Sequence, residues 1–181
     1  MKTITLVTGN PGKLKEWQAI LPANSDINFV MQELDLPEIQ SMDLQAIVED
    51  KLSRAYDVLK VPVVVDDVSI GLDGMANLPG PFFKFYEKAL GPTALLQLAK
   101  KPGEAATIIC TIGYYDGKQK IYAVGKVHVS VVEPRGTNGF GFDQVVVPEG
   151  QTRTFAEMSP AEKNAISHRQ MAIKEMLSKL R

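Results

Sequence analysis

Cysteine is nearly absent. The 181-residue chain carries one, Cys110, inside the apolar run Thr107-Ile108-Ile109-Cys110-Thr111-Ile112. A lone thiol excludes a disulfide framework, suits a reducing, cytoplasmic setting and, buried in such a run, argues against a catalytic nucleophile. An excess of charge of either sign is missing too: 20 Lys and Arg stand against 21 Asp and Glu, a formal net charge of −1, so no global basic field marks a nucleic-acid partner. Long hydrophobic runs are lacking. The run ending Val63-Val64-Val65 falls far short of the roughly 20 residues a membrane helix needs, and Met1-Lys2 leads directly into a predicted strand, so neither a membrane span nor a signal peptide is expected. Repeats and low-complexity segments are absent as well. What remains is an ordinary globular composition, 45% hydrophobic, with chain enough for one domain, or two small lobes around a shared cleft, over a real core.

Residues 2–8 predict a strand, 13–21 a helix and Asn28-Phe29-Val30-Met31 a second strand, and this β-α-β opening favours an α/β sheet. Residues 43–59 place Leu44, Ile47, Val48, Leu52, Ala55, Val58 and Leu59 at three- and four-residue spacing, an amphipathic helix capped by Asp43. The β-branched run from Val61 to Val65, broken by Pro62, predicts a strand buried on both faces and ending at Asp66-Asp67, whose acids then point into a cleft. From Gly80 to Lys101 the pattern is helical twice, with Gly91-Pro92 as the break. Residues 105–115 and 120–132 predict two long strands joined around Asp116-Gly117, the basis of a second lobe. A Gly-rich segment from Pro134 to Asp143 has the composition of a ligand-facing loop or a plain turn. Two capping boxes, Ser159-Pro160-Ala161-Glu162 and Ser167-His168-Arg169-Gln170, predict two successive helices in place of one. That break lets Lys163, His168 and Arg169 face one site.

Candidate chemistry begins at Thr8-Gly9-Asn10, a polar turn between strand and helix. A helix N-terminus offers unpaired N–H groups and about half a positive charge; Gly9 permits close approach and Lys13 adds a full charge, an arrangement that cradles phosphate. An ordinary βα turn has the same pattern. Glu38, in Leu36-Pro37-Glu38, and Asp67 are the carboxylate pair that a hard ion such as Mg²⁺ uses together with water and phosphate oxygens. Asp66 and Asp67, adjacent in sequence, repel one another unless a cation stands nearby, and one of them is suited to orient or deprotonate an attacking water. Lys51 and Lys84 add positive charge, Lys84 from among aromatic residues. In Phe140-Gly141-Phe142-Asp143 a ring beside a glycine and an acid is suited to stack on a base, worth about 1–3 kcal/mol; both rings serving as core explains the segment equally well.

Thr8-Gly9-Asn10-Pro11-Gly12-Lys13, Leu36-Pro37-Glu38, Val65-Asp66-Asp67, Leu78-Pro79-Gly80-Pro81, Phe140-Gly141-Phe142-Asp143, Ala161-Glu162-Lys163-Asn164 and Ser167-His168-Arg169 together resemble the inosine triphosphate pyrophosphatase family, in family order and across nearly the whole chain. The resemblance implies an elongated α/β fold with a central mixed sheet, residues 1–181 forming a single domain of two lobes around a cleft, and a homodimer. It also implies Mg²⁺-dependent hydrolysis of deaminated purine nucleoside triphosphates, ITP, dITP and XTP, to the monophosphate and pyrophosphate. Carried over by position, Thr8, Gly9, Asn10 and Lys13 hold the triphosphate, Lys51 and Lys84 stand near it, and Glu38 with Asp67 holds the metal. Asp67 is the expected proton acceptor, with Asp66 and Lys13 as its catalytic neighbours. Phe140, Gly141, Phe142, Asp143, Lys163, His168 and Arg169 enclose base and sugar. The chain departs from the family pattern at Val68, where Ser or Thr usually follows the aspartate, at Phe142, where Trp or Tyr is common, and at Gln144, where Pro is common. A nucleotide-binding regulator without turnover and a phosphatase releasing the terminal phosphate are the alternative readings.

Overall fold

The computed structural model describes residues 2–21 and 25–180. Strand β1 (Lys2–Val7) pairs in parallel with β2 (Ile27–Gln32) and with β3 (Val63–Leu72). Flanked on both edges, β1 is buried from Ile4 to Val7, as a parallel strand covered on both faces should be. The sheet order is β2-β1-β3-β5-β6-β7, with β5 (Ala105–Tyr115), β6 (Lys120–Val131) and β7 (Val146–Pro148); the short β4 (Leu78–Gly80) lies antiparallel on β3. Seven strands in a mixed sheet, interspersed with helices, bear out the expected α/β fold. Helix α1 (Pro11–Ile20) begins two residues earlier than the pattern predicts. Pro11 occupies the first turn, where its missing N–H costs nothing, and Asn10 Oδ1 caps it by accepting from Gly12 N at 2.9 Å.

Helix α2 (Leu44–Leu59) has the predicted bounds, with Asp43 Oδ1 accepting from Gln45 N at 2.9 Å. Val58, counted with its apolar stripe, is 61% exposed and lies outside the core. Strand β3 corrects the reading of Val61 to Val65: it starts at Val63 and runs on to Leu72. Asp66 and Asp67 therefore lie within the strand, and pairing of Ile70, Gly71 and Leu72 with β4 carries the ladder past them. Helices α3 (Phe83–Leu90) and α4 (Ala94–Leu98) flank the Gly91-Pro92 break. The β5–β6 connection is closed by Asp116 Oδ1, which accepts from Lys118 N at 3.0 Å and Gln119 N at 2.9 Å. Helices α5 (Pro160–Ile166) and α6 (His168–Lys179) are separate because Ser167 between them is extended, at φ −77 and ψ 153.

The chain divides into two compact units. Met1–Asp67, Cys110–Gly125 and Arg169–Arg181 form the first, in which Val48, Leu52 and Ala55 of α2 pack on Val7, Val63 and Val65. A Cβ on Gly113 of β5 would lie 2.8 Å from Val48 Cγ1, so glycine there lets α2 settle close to the sheet. Val68–Ile109 and Lys126–His168 form the second unit, with a core of Ile70, Leu72, Phe83, Leu95, Ile108, Val129 and Phe155 among others. No helix among the described residues is long and apolar enough to cross a membrane.

Candidate active site

In the first unit, strand geometry separates the two adjacent aspartates. Successive strand residues point to opposite faces; Val63 and Val65 face α2, so Asp67 continues their row and Asp66 lies on the other side. Asp66 is 1% exposed. Its Oδ2 accepts from Lys13 Nζ at 3.2 Å and from Arg169 Nε at 3.1 Å, and its carbonyl accepts from Lys13 Nζ at 3.3 Å. Arg169 Nη1 also pairs with Glu16. Burial opposes ionisation of Asp66, but Lys13 and Arg169 outweigh it and hold the carboxyl at about 2. Burial likewise disfavours the Arg169 charge, and Asp66 with Glu16 more than restores it, raising its pKa above the ordinary arginine value. The expected repulsion is thus answered twice, by opposite faces and by two cations.

The turn before α1 differs from expectation. Three of its N–H groups are engaged: Asn10 N donates to Thr8 Oγ1 at 3.1 Å, Gly12 N to Asn10 Oδ1, and Lys13 N to Asn10 O at 3.1 Å. Asn10, which starts the helix, thus accepts from two of these N–H groups, and the Lys13 ammonium adds a full positive charge to the turn. Gly9 is a close-approach position, yet the group that approaches is Glu33, whose Oε1 would lie 2.5 Å from a Cβ there. On the α2 side, Lys51 Nζ lies 3.3 Å from Glu38 Oε2, both half-buried. Among the described residues no group of three or more His, Cys, Asp or Glu is placed to hold an ion alone. Glu38 and half-buried Asp67 are hard oxygen donors; their number and chemistry fit Mg²⁺, which shares its coordination with water and phosphate, rather than an all-protein cage. Cys110, buried and pushed up to about 12 by burial and then by the Asp66 charge, is chemically inert.

The second unit holds an aromatic cluster around a buried ion pair. Asp143, 2% exposed, accepts at Oδ2 from Lys163 Nζ at 2.6 Å and from Phe140 N at 2.8 Å. Gly139, at φ +79, passes so close that a Cβ would lie 2.0 Å from the same oxygen. The Lys163 ammonium lies 4.8 Å from the Phe140 ring centre and 5.8 Å from that of Phe155, cation–π distances. His168, 2% exposed, stands 6.1 Å from Phe142 and 6.3 Å from Phe155, ring centre to ring centre. The two phenylalanines divide the roles left open by the sequence. Phe142 packs edge-on against Phe83 at 5.7 Å, while Phe140 keeps 37% of its surface exposed. Lys84 is exposed on α3, over the Phe85 ring at 5.1 Å, its pKa lowered by partial burial.

Lys13, Asp66 and Arg169 are thus brought together in one unit, and Phe140, Phe142, Asp143, Lys163 and His168 in the other. The extended residue Ser167 ends α5 before α6 begins, and the Arg169 guanidinium joins Asp66 and Glu16. Glu16, Glu33, Phe155 and Glu87 escaped the sequence reading. Glu16 had a signal, its i+3 spacing from Lys13 in α1. Glu87, whose carboxyl burial and then the Asp143 charge raise, and whose Oε1 lies 3.3 Å from the Cβ position of Gly141, had none.

The Ham1 family model matches residues 4–179. Inosine triphosphate pyrophosphatase 2 of Trypanosoma cruzi is 40% identical over 174 residues, which span 94% of this chain and 88% of that protein. The inosine triphosphate pyrophosphatase of Scheffersomyces stipitis is 35% identical over 188 residues, 97% of this chain and 96% of its own. The structure of a HAM1 protein from Coxiella burnetii superposes with a TM-score of 0.84 at 28% identity, covering 99% of this chain and 98% of the other.

Proposed function

The chain belongs to the Ham1 family, and on that premise we propose that it hydrolyses ITP, dITP and XTP, the deaminated purine nucleoside triphosphates, to the monophosphate and pyrophosphate in an Mg²⁺-dependent reaction. The observation that carries the reading is the division of labour on β3. Asp66 is buried and bound to Lys13 and Arg169, while half-buried Asp67 shares the α2 face of the sheet.

In this reading Thr8, Gly9, Asn10 and Lys13 take the triphosphate, and Lys51 and Lys84 add positive charge around it. Asp66 positions Lys13 and Arg169 through Oδ2. Glu38 and Asp67 hold Mg²⁺, which when bound neutralises phosphate oxygens. A carboxylate oxygen of Asp67 accepts the proton of the water that attacks the α-phosphorus; the bond from that phosphorus to the bridging oxygen breaks, and pyrophosphate leaves with its charge already compensated. Phe140 stacks on the purine, while Gly141, Phe142, Asp143 and Lys163 enclose base and sugar. His168 and remaining N–H groups of Arg169 donate to the 6-oxo group. Adenine's 6-amino group would set donor against donor, leaving a buried donor unpaired at about 1–3 kcal/mol, roughly a ten- to hundredfold preference. Residues 1–181 act as one catalytic domain, in a homodimer, and the single buried thiol suits the cytoplasm.

Incubation with ITP and Mg²⁺, followed by product identification, tests the proposal. IMP with pyrophosphate supports it. IDP with free phosphate, or binding without turnover, overturns it.

A further inference from the structure

A third polar cluster, in the second unit, shares no residue with those above. Thr107 of β5 is buried, and its hydroxyl has two polar neighbours: Asp73 Oδ1 at 2.9 Å and His128 Nδ1 at 3.2 Å. A hydroxyl has one proton to donate, and a carboxylate only accepts. The Thr107 proton therefore goes to Asp73, and the Thr107 oxygen accepts from Nδ1–H of His128. That assigns the ring tautomer, with the proton on Nδ1 and a lone pair on Nε2. His128 is an exposed residue of β6 between buried Val127 and Val129. It lines a cavity of about 290 Å³ together with Ser130, Glu149 and Gln151. The turn after β7 brings Glu149 to this place, its N–H donating to the His128 carbonyl at 2.9 Å.

The order of the chain of hydrogen bonds rules out a nucleophile. In a catalytic triad the imidazole stands between hydroxyl and carboxylate; here the hydroxyl is central and buried. A carboxylate that fixes the Nδ1 proton, directly or through an intermediary, is instead the arrangement that orients an imidazole ligand and strengthens its other nitrogen as a donor. Glu149 carries the one carboxylate among the residues lining the cavity, beside the neutral His128 ring and with no lysine or arginine, so the cavity attracts a cation. An imidazole nitrogen beside a carboxylate selects Zn²⁺ or Ni²⁺ over Mg²⁺. We propose that His128 Nε2 and the Glu149 carboxylate bind a divalent transition-metal ion at a surface site separate from the hydrolytic centre, with water completing the coordination and the Thr107–Asp73 pair orienting the ring.

The test is a ZnCl₂ titration of the full chain, followed by imidazole nitrogen NMR and calorimetry. The chain has two histidines and His168 is buried, so His128→Gln assigns the responding signal. Saturable movement of the His128 Nε2 resonance with Zn²⁺, and none with equimolar Mg²⁺, is the expected result. His128→Gln then abolishes the calorimetric binding, Glu149→Gln weakens it, and Thr107→Val weakens it about ten- to hundredfold, with ITP hydrolysis unchanged in His128→Gln. Asp73→Ala, at an exposed position, repeats the Thr107→Val test should that variant fail to fold. Equal Zn²⁺ affinity in wild type and His128→Gln overturns the site. Unchanged affinity in both Thr107→Val and Asp73→Ala overturns the orienting role.

Discussion

Each unit buries an aspartate against cations, and the two do so differently. Asp66 faces two cations, Lys13 and Arg169, with Glu16 as a second anion; four charges balance, and Asp66 Oδ1 is buried with no hydrogen-bond partner. Asp143 pairs with Lys163 and accepts from the Phe140 N–H, while the ammonium lies over two rings. In the first pair the lysine side chain is 17% exposed; in the second it is 7% exposed. Lys13 can therefore turn from Asp66 toward an incoming polyanion at modest desolvation cost, whereas Lys163 is locked in place and serves geometry. The first arrangement suits charge handling; the second suits shape recognition of a flat ring.

Substitutions can sharpen or break that contrast. The largest effect belongs to Asp67→Asn, expected to lower kcat for ITP by about 10²–10⁴-fold with an unchanged melting temperature. A near wild-type rate would remove Asp67 from proton transfer. Next come the buried ions: Asp66→Ala and Asp143→Ala each leave cations without their anion and should cost about 3–5 kcal/mol in urea unfolding. If the contrast holds, Asp66→Ala also raises KM through a displaced Lys13, and equal KM in both variants would argue against it. Acid should discriminate further. The Asp66 carboxyl is held at about 2, below its ordinary 3.8, so its stabilisation is complete above 3.8 and is lost as pH falls toward 2. At 1.36 kcal/mol per unit this is about 2 kcal/mol, a loss that wild type shows between pH 5 and pH 2 and Asp66→Asn lacks. The smallest effect on stability belongs to Phe140→Ala, whose exposed ring adds little to the core. It should raise KM by about tenfold, at the lower end of a stacking loss of about 1–3 kcal/mol, whereas Phe142→Ala, packed on Phe83 and near His168, should lower the melting temperature.

Much of the fold was legible because it rests on local rules. The apolar spacing of residues 43–59 and the Asp43 cap defined α2 to the residue, and Asp116-Gly117 marked the β5–β6 connection. Two capping motifs separated α5 from α6. The misreadings also have local causes. The helix expected from residue 13 starts at Pro11, because Asn10 caps it and the first turn has no use for the N–H that proline lacks. Two aspartates looked like the end of a strand that in fact continues, because charge inside a strand is admissible once distant cations meet it.

Composition, periodicity and capping chemistry are properties of neighbours in sequence, and from them the chain by itself determined its α/β class, most of its elements and the list of residues able to do chemistry. Only the tertiary structure decided which of those residues meet. Asp66 meets Arg169 across 103 positions and Asp143 meets Lys163 across 20, Arg169 meets Glu16 as well, and three amides of the first turn are engaged by Asn10 and Thr8. Such pairings depend on strand alternation, on the extended residue that ends one helix before the next, and on burial that makes an unmatched charge costly, none of which acts until the chain is packed.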